Sequence, residues 1–198
     1  MNVGILAVQG DYEAHAQALQ RLGVTPVLVK HAEQLPDVQG LVLPGGESTT
    51  FLKFLNRNGL GDAIGEAVRA GMPVLGTCAG AILLASRVEN PPQASLGLLD
   101  ATVRRNAYGR QVDSFIDRGD FLGQPMEMVF IRAPQFADLG PGVEVLGSCR
   151  NQPVFVRQKN VMAGAFHPEL GKDGRVHQLL LDAIRSRPSC VCPFKQEL

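Results

Sequence analysis

The sequence predicts an α/β protein: a three-layer, flavodoxin-like, mostly parallel sheet flanked by helices, with additional antiparallel strands in the second half. Three observations carry that expectation. Short apolar runs alternate with helix-patterned segments through the first 85 residues. Glycine-rich turns follow several of those runs. Beyond residue 100, strand-like runs succeed one another with few helical stretches between them. Residues 3–8 form the first apolar run and read as a buried parallel strand. Asp11 is placed to cap the next segment, and Glu13 adds negative charge to its first turn. Ala14, Ala18, Leu19 and Leu22 then recur at helical spacing until Gly23 stops the helix. Residues 25–29 and 38–43 read as the second and third strands, the latter running into Pro44-Gly45-Gly46-Glu47-Ser48. Ser48 or Thr49 can cap a helix beginning near Thr50, residues 62–70 are helical, and 74–76 form a further strand. In the second half, residues 101–105, 126–131, 143–147, 153–158 and 161–166 read as strands, and their short spacing suggests antiparallel pairing. Residues 175–187 make a closing helix with Val176, Leu179, Leu180, Ala183 and Ile184 on one face. Ligands of doubly wound sheets bind beyond the carboxyl ends of the strands, which would gather Gly10, Gly45-Gly46 and Cys78 at one mouth.

A chain of 198 residues is long enough for one such domain with a full core and little more. Residues 1–187 are expected to form it, and residues 188–198 a tail of unknown role. Formal net charge is zero and charged residues are 19%, which argues against a nucleic-acid surface or an acidic tail. The 22 glycines and 13 prolines are spread between apolar runs, as short turns require, rather than gathered in a disordered tract. Four cysteines, Cys78, Cys149, Cys190 and Cys192, do not make a disulfide framework in a chain of this length. The first residues show no basic leader, and no apolar run approaches the ~20 residues that span a bilayer. A soluble, cytoplasmic protein with reduced thiols is expected. The paired cysteines of the tail are too few for a tetrahedral zinc site, so neither metal nor cofactor is expected.

The chemistry centres on Gly76-Thr77-Cys78-Ala79-Gly80, which follows an apolar run and opens the helix-like run 81–85. Strand, Gly-x-nucleophile-x-Gly turn, helix is the layout of a nucleophile elbow, here with sulfur in place of a serine oxygen. The glycines admit a tight turn where side chains would clash. The positive end of the following helix favours the thiolate, the attacking form of cysteine. A buried structural cysteine between incidental glycines is the plainer alternative. A cysteine nucleophile also needs a base, and the base an orienting partner. His167-Pro168-Glu169 offers both: proline disfavours helix at the preceding residue, and in an extended backbone residues two apart share a side. Alone, the tripeptide would read as a turn with a surface histidine; the nucleophile elsewhere favours the pair. An oxyanion hole needs backbone N–H groups, which Ala79 and the Gly45-Gly46 turn, through Gly46, could supply. His15, His31 and His177 lie in helix-like or polar contexts and read as surface or packing residues.

Together, Pro44-Gly45-Gly46-Glu47-Ser48, Gly76-Thr77-Cys78-Ala79-Gly80 and His167-Pro168-Glu169 resemble a class I, triad-type glutamine amidotransferase. The words Ala7-Val8-Gln9-Gly10, Pro-Gly-Gly-Glu-Ser-Thr-Thr at 44–50, Arg104-Arg105-Asn106-Ala107-Tyr108-Gly109-Arg110-Gln111, Phe130-Ile131-Arg132-Ala133-Pro134 and Phe166-His167-Pro168-Glu169-Leu170 narrow this to the glutaminase subunits of pyridoxal 5′-phosphate synthases. The resemblance implies that Cys78 attacks the side-chain amide of L-glutamine, that His167 moves the proton and that Glu169 orients His167. It implies a glutamine site lined by Gly45, Gly46, Glu47, Arg105, Ile131 and Arg132, and a partner-facing loop at Gln9 and Gly10. It also implies a hetero-oligomer: the ammonia would pass to a separate (β/α)8-barrel synthase subunit, which this chain is far too short to contain. Glutaminases of such systems are typically weak until docked.

Other readings stay open at this stage. The chain could serve a different amidotransferase pathway, against which residues 104–111 and 130–134 argue. It could be a docking or regulatory subunit without chemistry, against which the complete Cys-His-Glu set argues. A cysteine hydrolase or stress protein on a related sheet would lack a reason for His-Pro-Glu late in the chain. Relatives of the resembling family usually carry Glu in a Ser-Phe-Glu word where this chain has Ser114-Phe115-Ile116, so no role is assigned to Ile116.

Overall fold

The computed structural model describes residues 1–57, 59–105 and 114–187. Residues 106–111 of the Arg-Asn-Ala-Tyr-Gly-Arg-Gln segment, and the tail 188–198 with Cys190 and Cys192, lie outside the described residues. The chain opens with β1 (Asn2–Leu6), α1 (Tyr12–Arg21), β2 (Thr25–Val29), a 3-10 turn (Ala32–Asp37) and β3 (Gly40–Leu43). Helices α2 (Ser48–Arg57) and α3 (Leu60–Arg69) lead to β4 (Val74–Thr77), from which the short α4 (Ala79–Leu84) departs. Strands β5 (Ala85–Glu89), β6 (Leu99–Arg104), β7 (Ser114–Phe121), β8 (Gln124–Ile131), β9 (Gln135–Leu139), β10 (Glu144–Cys149), β11 (Gln152–Gln158) and β12 (Val161–Gly164) follow. A 3-10 turn (Pro168–Leu170) and α5 (Arg175–Arg185) complete the described chain.

The main sheet has the order β2-β1-β3-β4-β12-β11-β10-β7-β8. It is parallel from β2 to β12 and antiparallel beyond. Every residue of β3, β4 and β12 is buried, because these central strands are covered on both faces, and their sequences are accordingly continuous apolar or small runs. From β1 the chain winds to β2 on one side, whereas from β3 it winds to β4 on the other. Right-handed crossovers then put α1 and the α2–α3 pair on opposite faces, giving three layers. The reversal leaves a crevice between the carboxyl ends of β1 and β3, the place where such sheets bind ligands. A second, three-stranded sheet, β5-β6-β9, is separate from the first.

The pairing of β12 with β4 does most to position the site. Gly164 lies opposite Thr77, and the amide of Cys78 donates to the Gly164 carbonyl at 2.8 Å. The loops leaving these two strands therefore start side by side, one carrying Cys78 and the other His167. The amide of His167 donates to the Val129 carbonyl in β8 at 2.8 Å, which ties the second loop to the antiparallel half. Phe166 fills the gap between them, with ring centroids 6.0 Å from Phe130 and 6.3 Å from Phe155.

Three strands were not expected from the sequence. Strand β7 carries Asp117, Arg118, Gly119 and Asp120, and its alternate residues are exposed, so an apolar signal is nearly absent. Ile116 belongs to that exposed set at 65% exposure, which places it on the solvent face of β7. Strand β5 begins where the helix-like run 81–85 was expected to end: α4 stops at Leu84, and Ala85 is already extended at ψ 150°. Strand β9 is short and half-buried and carries only a weak pattern of its own.

Candidate active site

The turn after β4 holds Cys78 at φ 47°, ψ −102°, a region that non-glycine residues avoid, and such strain costs of the order of 1–3 kcal/mol. Close packing around the turn sustains it. A Cβ on Gly76 would lie 2.6 Å from the Gly80 carbonyl carbon, and one on Gly80 would overlap the Leu43 carbonyl oxygen at the end of β3. The elbow is thus wedged between the ends of two buried strands, with Ala79 buried directly behind the nucleophile. Cys78 is itself 7% exposed, and its Sγ lies 3.7 Å from the Ile131 carbonyl oxygen.

His167 and Glu169 meet through a turn. The 3-10 geometry of Pro168–Leu170 brings Glu169 Oε1 within 2.7 Å of His167 Nδ1. The extended backbone expected from His-Pro is not what pairs them, because Pro168 takes the first position of the turn, where its missing N–H loses nothing. Both side chains are buried. Burial favours the neutral imidazole, yet Cys78 and then Glu169 outweigh it and push His167 up to about 10. His167 Nε2 is buried and has no hydrogen bond of good geometry among the described residues, so Cys78 acts on the ring across a looser contact. At neutral pH His167 therefore holds its proton.

Asp11 stands at the start of α1 but makes no side-chain capping bond; its Oδ2 turns instead toward His167 Nδ1 at 3.5 Å. That corrects the capping role expected for it and adds a second carboxylate beside the imidazole. Of the two places expected for His15 and His177, surface or packing, the structure gives the second. Both are wholly inaccessible, and His15 Nε2 lies 3.2 Å from Glu169 Oε2. His31 is exposed, and its backbone amide donates to the Gln34 side chain at 3.0 Å. The helical period could have placed His15, which lies three, four and seven residues before Ala18, Leu19 and Leu22 and so shares their inward face.

An open cavity of about 550 Å³ joins these parts. Cys78 and His167 lie in its wall with Gly46, Glu47, Arg105, Ile131 and Arg132, and with Asp11, Ser48, Ile82 and Ser114, whose place in the wall was not foreseen. Gly45 sits against the His167 ring, and a Cβ there would overlap Cε1. Gln9 Nε2 donates to the Glu47 carbonyl at 2.7 Å, and the Asp11 amide donates to the Gly45 carbonyl at 3.2 Å. Gly10 takes φ +82° between these two bonds, and any Cβ there would overlap the Gly45 carbonyl oxygen. The loops after β1 and β3 are thus stitched across the crevice. The largely buried Arg105 reaches Glu47 Oε1 at 3.4 Å, placing both charge signs in the wall.

A nucleophile, a protonated base, a buried orienting carboxylate and an adjacent cavity are the parts needed for acyl transfer through a thioester. The family model described as the SNO glutamine amidotransferase family matches residues 5–186. The pyridoxal 5′-phosphate synthase subunit PdxT of Koribacter versatilis is 53% identical over 191 residues, covering 94% of this chain and 97% of that one. The PdxT subunit of Frankia casuarinae is 51% identical over 192 residues, covering 94% and 96%. A solved glutamine amidotransferase superposes with a TM-score of 0.88 at 46% identity, over 92% of this chain and 98% of that one. The chain belongs to the SNO glutamine amidotransferase family.

Proposed function

We propose that this chain is the glutaminase subunit of a pyridoxal 5′-phosphate synthase, hydrolysing L-glutamine to L-glutamate and ammonia at Cys78, His167 and Glu169. The observation that carries this reading is the 2.7 Å contact between His167 Nδ1 and Glu169 Oε1, in the wall of the cavity that holds Cys78. Family membership and the PdxT relatives support the pathway.

The sulfur of Cys78 adds to the amide carbon of glutamine, and the carbonyl oxygen becomes an oxyanion facing the backbone amides of Gly46 and Ala79. Collapse breaks the carbon–nitrogen bond. His167, which already holds a proton, gives it to the departing nitrogen, so ammonia leaves and a γ-glutamyl thioester remains. The now neutral His167 takes a proton from water, the hydroxide adds to the thioester, and glutamate departs as the sulfur is released and His167 is again protonated. Glu47 and Arg105 offer opposite charges to the ammonium and carboxylate of the substrate, and the planar fork of arginine suits the carboxylate. Arg132 and Ile131 close the same wall. The ammonia passes to a (β/α)8-barrel synthase subunit in a hetero-oligomer, with Gln9 and Gly10 in the loop that faces it. The complex acts in the cytoplasm, a setting compatible with the unpaired thiols of Cys78 and Cys149 and with the lack, among described residues, of any helix long and apolar enough to cross a membrane.

The test is glutamate release from L-glutamine by the purified chain, with and without the synthase subunit, beside Cys78→Ala. Activity stimulated by the partner and lost in the variant supports both chemistry and pathway. Activity that needs Cys78 but ignores the partner keeps the glutaminase and overturns the pathway. Activity that survives Cys78→Ala overturns the triad.

A further inference from the structure

Behind Glu169, on the side away from His167, four polar groups meet without access to solvent. His15 comes from α1, Thr77 from the last position of β4, His177 from the first turn of α5, and Glu169 from the 3-10 turn. His15 Nε2 lies 3.0 Å from Thr77 Oγ1 and 3.2 Å from Glu169 Oε2, while His15 Nδ1 lies 2.9 Å from His177 Nε2. The rings of the two histidines meet edge to face, with centroids 5.2 Å apart. Of these groups only Glu169, through its other oxygen, is used by the hydrolysis as described above.

Proton counting fixes the arrangement. Burial first, then the charges of His177 and His167, hold His15 well below its usual pKa; burial, then Arg21, brings His177 down to about 4. Each ring is neutral and carries one N–H, so each has one donor and one acceptor. If His15 were protonated on Nδ1, its Nε2 lone pair would face the Oε2 lone pairs of an ionised carboxylate at 3.2 Å. His177 would then accept at Nε2 and leave a buried N–H at Nδ1, where the described residues supply no partner. With the proton on Nε2, His15 shares it between Thr77 Oγ1 and Glu169 Oε2, and its Nδ1 accepts from His177 Nε2–H. Among the described residues of the cluster, His177 Nδ1 then stays without a partner, and Glu169 Oε2 keeps its 3.2 Å contact to His15. The contact to Oε2 is off the ideal hydrogen-bond line, since the shared N–H also points to Thr77, and it acts chiefly through its dipole on the carboxylate charge.

We propose that His15 is a positioning residue for the hydrolysis: its Nε2–H, set by His177 Nε2–H on the far side of the ring, holds the second oxygen of Glu169 so that the first stays charged and aimed at His167. This rests on the assignment of Cys78, His167 and Glu169 given above. The sequence of contacts runs from His177 through His15 and Glu169 to His167, which stands with Cys78 in the cavity wall, and it joins α5 and α1 to the nucleophile at the end of β4.

The experiment compares His15→Gln, His15→Asn and His15→Leu in the full complex with the synthase subunit, with Cys78→Ala as the blank, reading kcat, KM for glutamine and thermal melting. A glutamine amide reaches the position of Nε2, whereas an asparagine amide reaches only that of Nδ1. Leaving the buried Oε2 without its facing N–H predicts a fall in kcat of roughly 10- to 10²-fold for Leu and Asn, with KM little changed. Gln is expected to recover most of that loss. A merely structural role would make kcat follow the melting temperature and would not separate Gln from Asn. Equal rates for Gln and Asn, or wild-type kcat in all three, overturn the proposal while Cys78→Ala stays inactive. Activity in Cys78→Ala would instead overturn the triad itself. Where His15→Leu fails to fold, the Gln–Asn comparison decides.

Discussion

Glu169→Gln keeps the shape of the orienting side chain and removes its charge. In the wild type, Oε1 accepts from His167 Nδ1 at 2.7 Å, and both groups are buried. A hydrogen bond to a charged partner contributes about 1.5–3 kcal/mol and a neutral one about 0.5–1.5, so the direct loss is on the order of 1–1.5 kcal/mol. A second loss follows from the other side. If the amide oxygen keeps facing His167, the amide NH2 faces His15 Nε2 at the distance now held by Oε2, 3.2 Å, and two donors oppose each other. An unsatisfied buried polar group adds about 1–3 kcal/mol. The sum, roughly 2–4.5 kcal/mol, corresponds to a fall in kcat/KM of about 30- to 2 × 10³-fold. The pH profile supplies the sign. His167 lies at about 10 because Cys78 and then Glu169 outweigh burial; removing the Glu169 charge lowers it. The proton needed by the leaving ammonia is then lost at lower pH, so the alkaline limb of kcat/KM moves down. Folding stability follows the same direction. The contribution of a raised histidine is fully present below 6.5 and disappears as pH rises through about 10, and the variant loses it earlier. Steady-state glutamate release across neutral to alkaline pH measures the limb directly. An unmoved limb together with an unchanged rate would refute the reasoning.

Two further perturbations test neighbouring parts of the site. His167→Asn is expected to lower turnover by about 10²–10⁴-fold, because acid–base catalysis by a positioned group is worth that much, and an unchanged rate in the same assay would show that another group moves the proton. Gly80→Ala drives a Cβ into the Leu43 carbonyl oxygen, and overpacking of this kind costs about 1–3 kcal/mol. For a chain of this size that lowers the melting temperature by roughly 2–4 °C per kcal/mol, and a melt superimposable on the wild type would contradict the wedged elbow.

The parts of the fold that were legible in the sequence are those buried on both faces. Strands β3, β4 and β12 announce themselves as apolar or small runs because no residue in them meets water, and the tight turns after β3 and β4 carry the glycines that close approach demands. The parts that were not legible lie where one face is solvated or where tertiary contacts decide. Strand β7 alternates, but its inward set includes Asp117 and Gly119, so the period-two signal is weak. The pair His167–Glu169 was visible as a tripeptide, but its geometry comes from a 3-10 turn that proline starts rather than from an extended segment. Asp11 looked like a helix cap because that is what acids do at helix starts; in place, the neighbouring imidazole claims its side chain. His15 and His177, 162 residues apart, carry no local sign that they meet.

The burial of that cluster links the chemistry to the assembly of the fold. An ionised carboxylate with no solvent access is tolerated only when both oxygens face compensating groups. Glu169 has them: the imidazolium of His167 on one side and the N–H of a neutral His15 on the other. Removing one partner from a buried charge costs about 3–5 kcal/mol, more than the pair returns relative to an apolar contact. The arrangement therefore adds little net stability, but it penalises alternatives steeply. His15 can reach Oε2 only if α1 is seated against the 168–170 turn, and His177 can reach His15 only if α5 lies beside α1. Thr77 fixes the end of β4, one residue before the nucleophile. The contacts that orient the base are thus the same ones that select the packing of two helices on the sheet. A displacement of either helix would be felt at Glu169 before it was felt at Cys78.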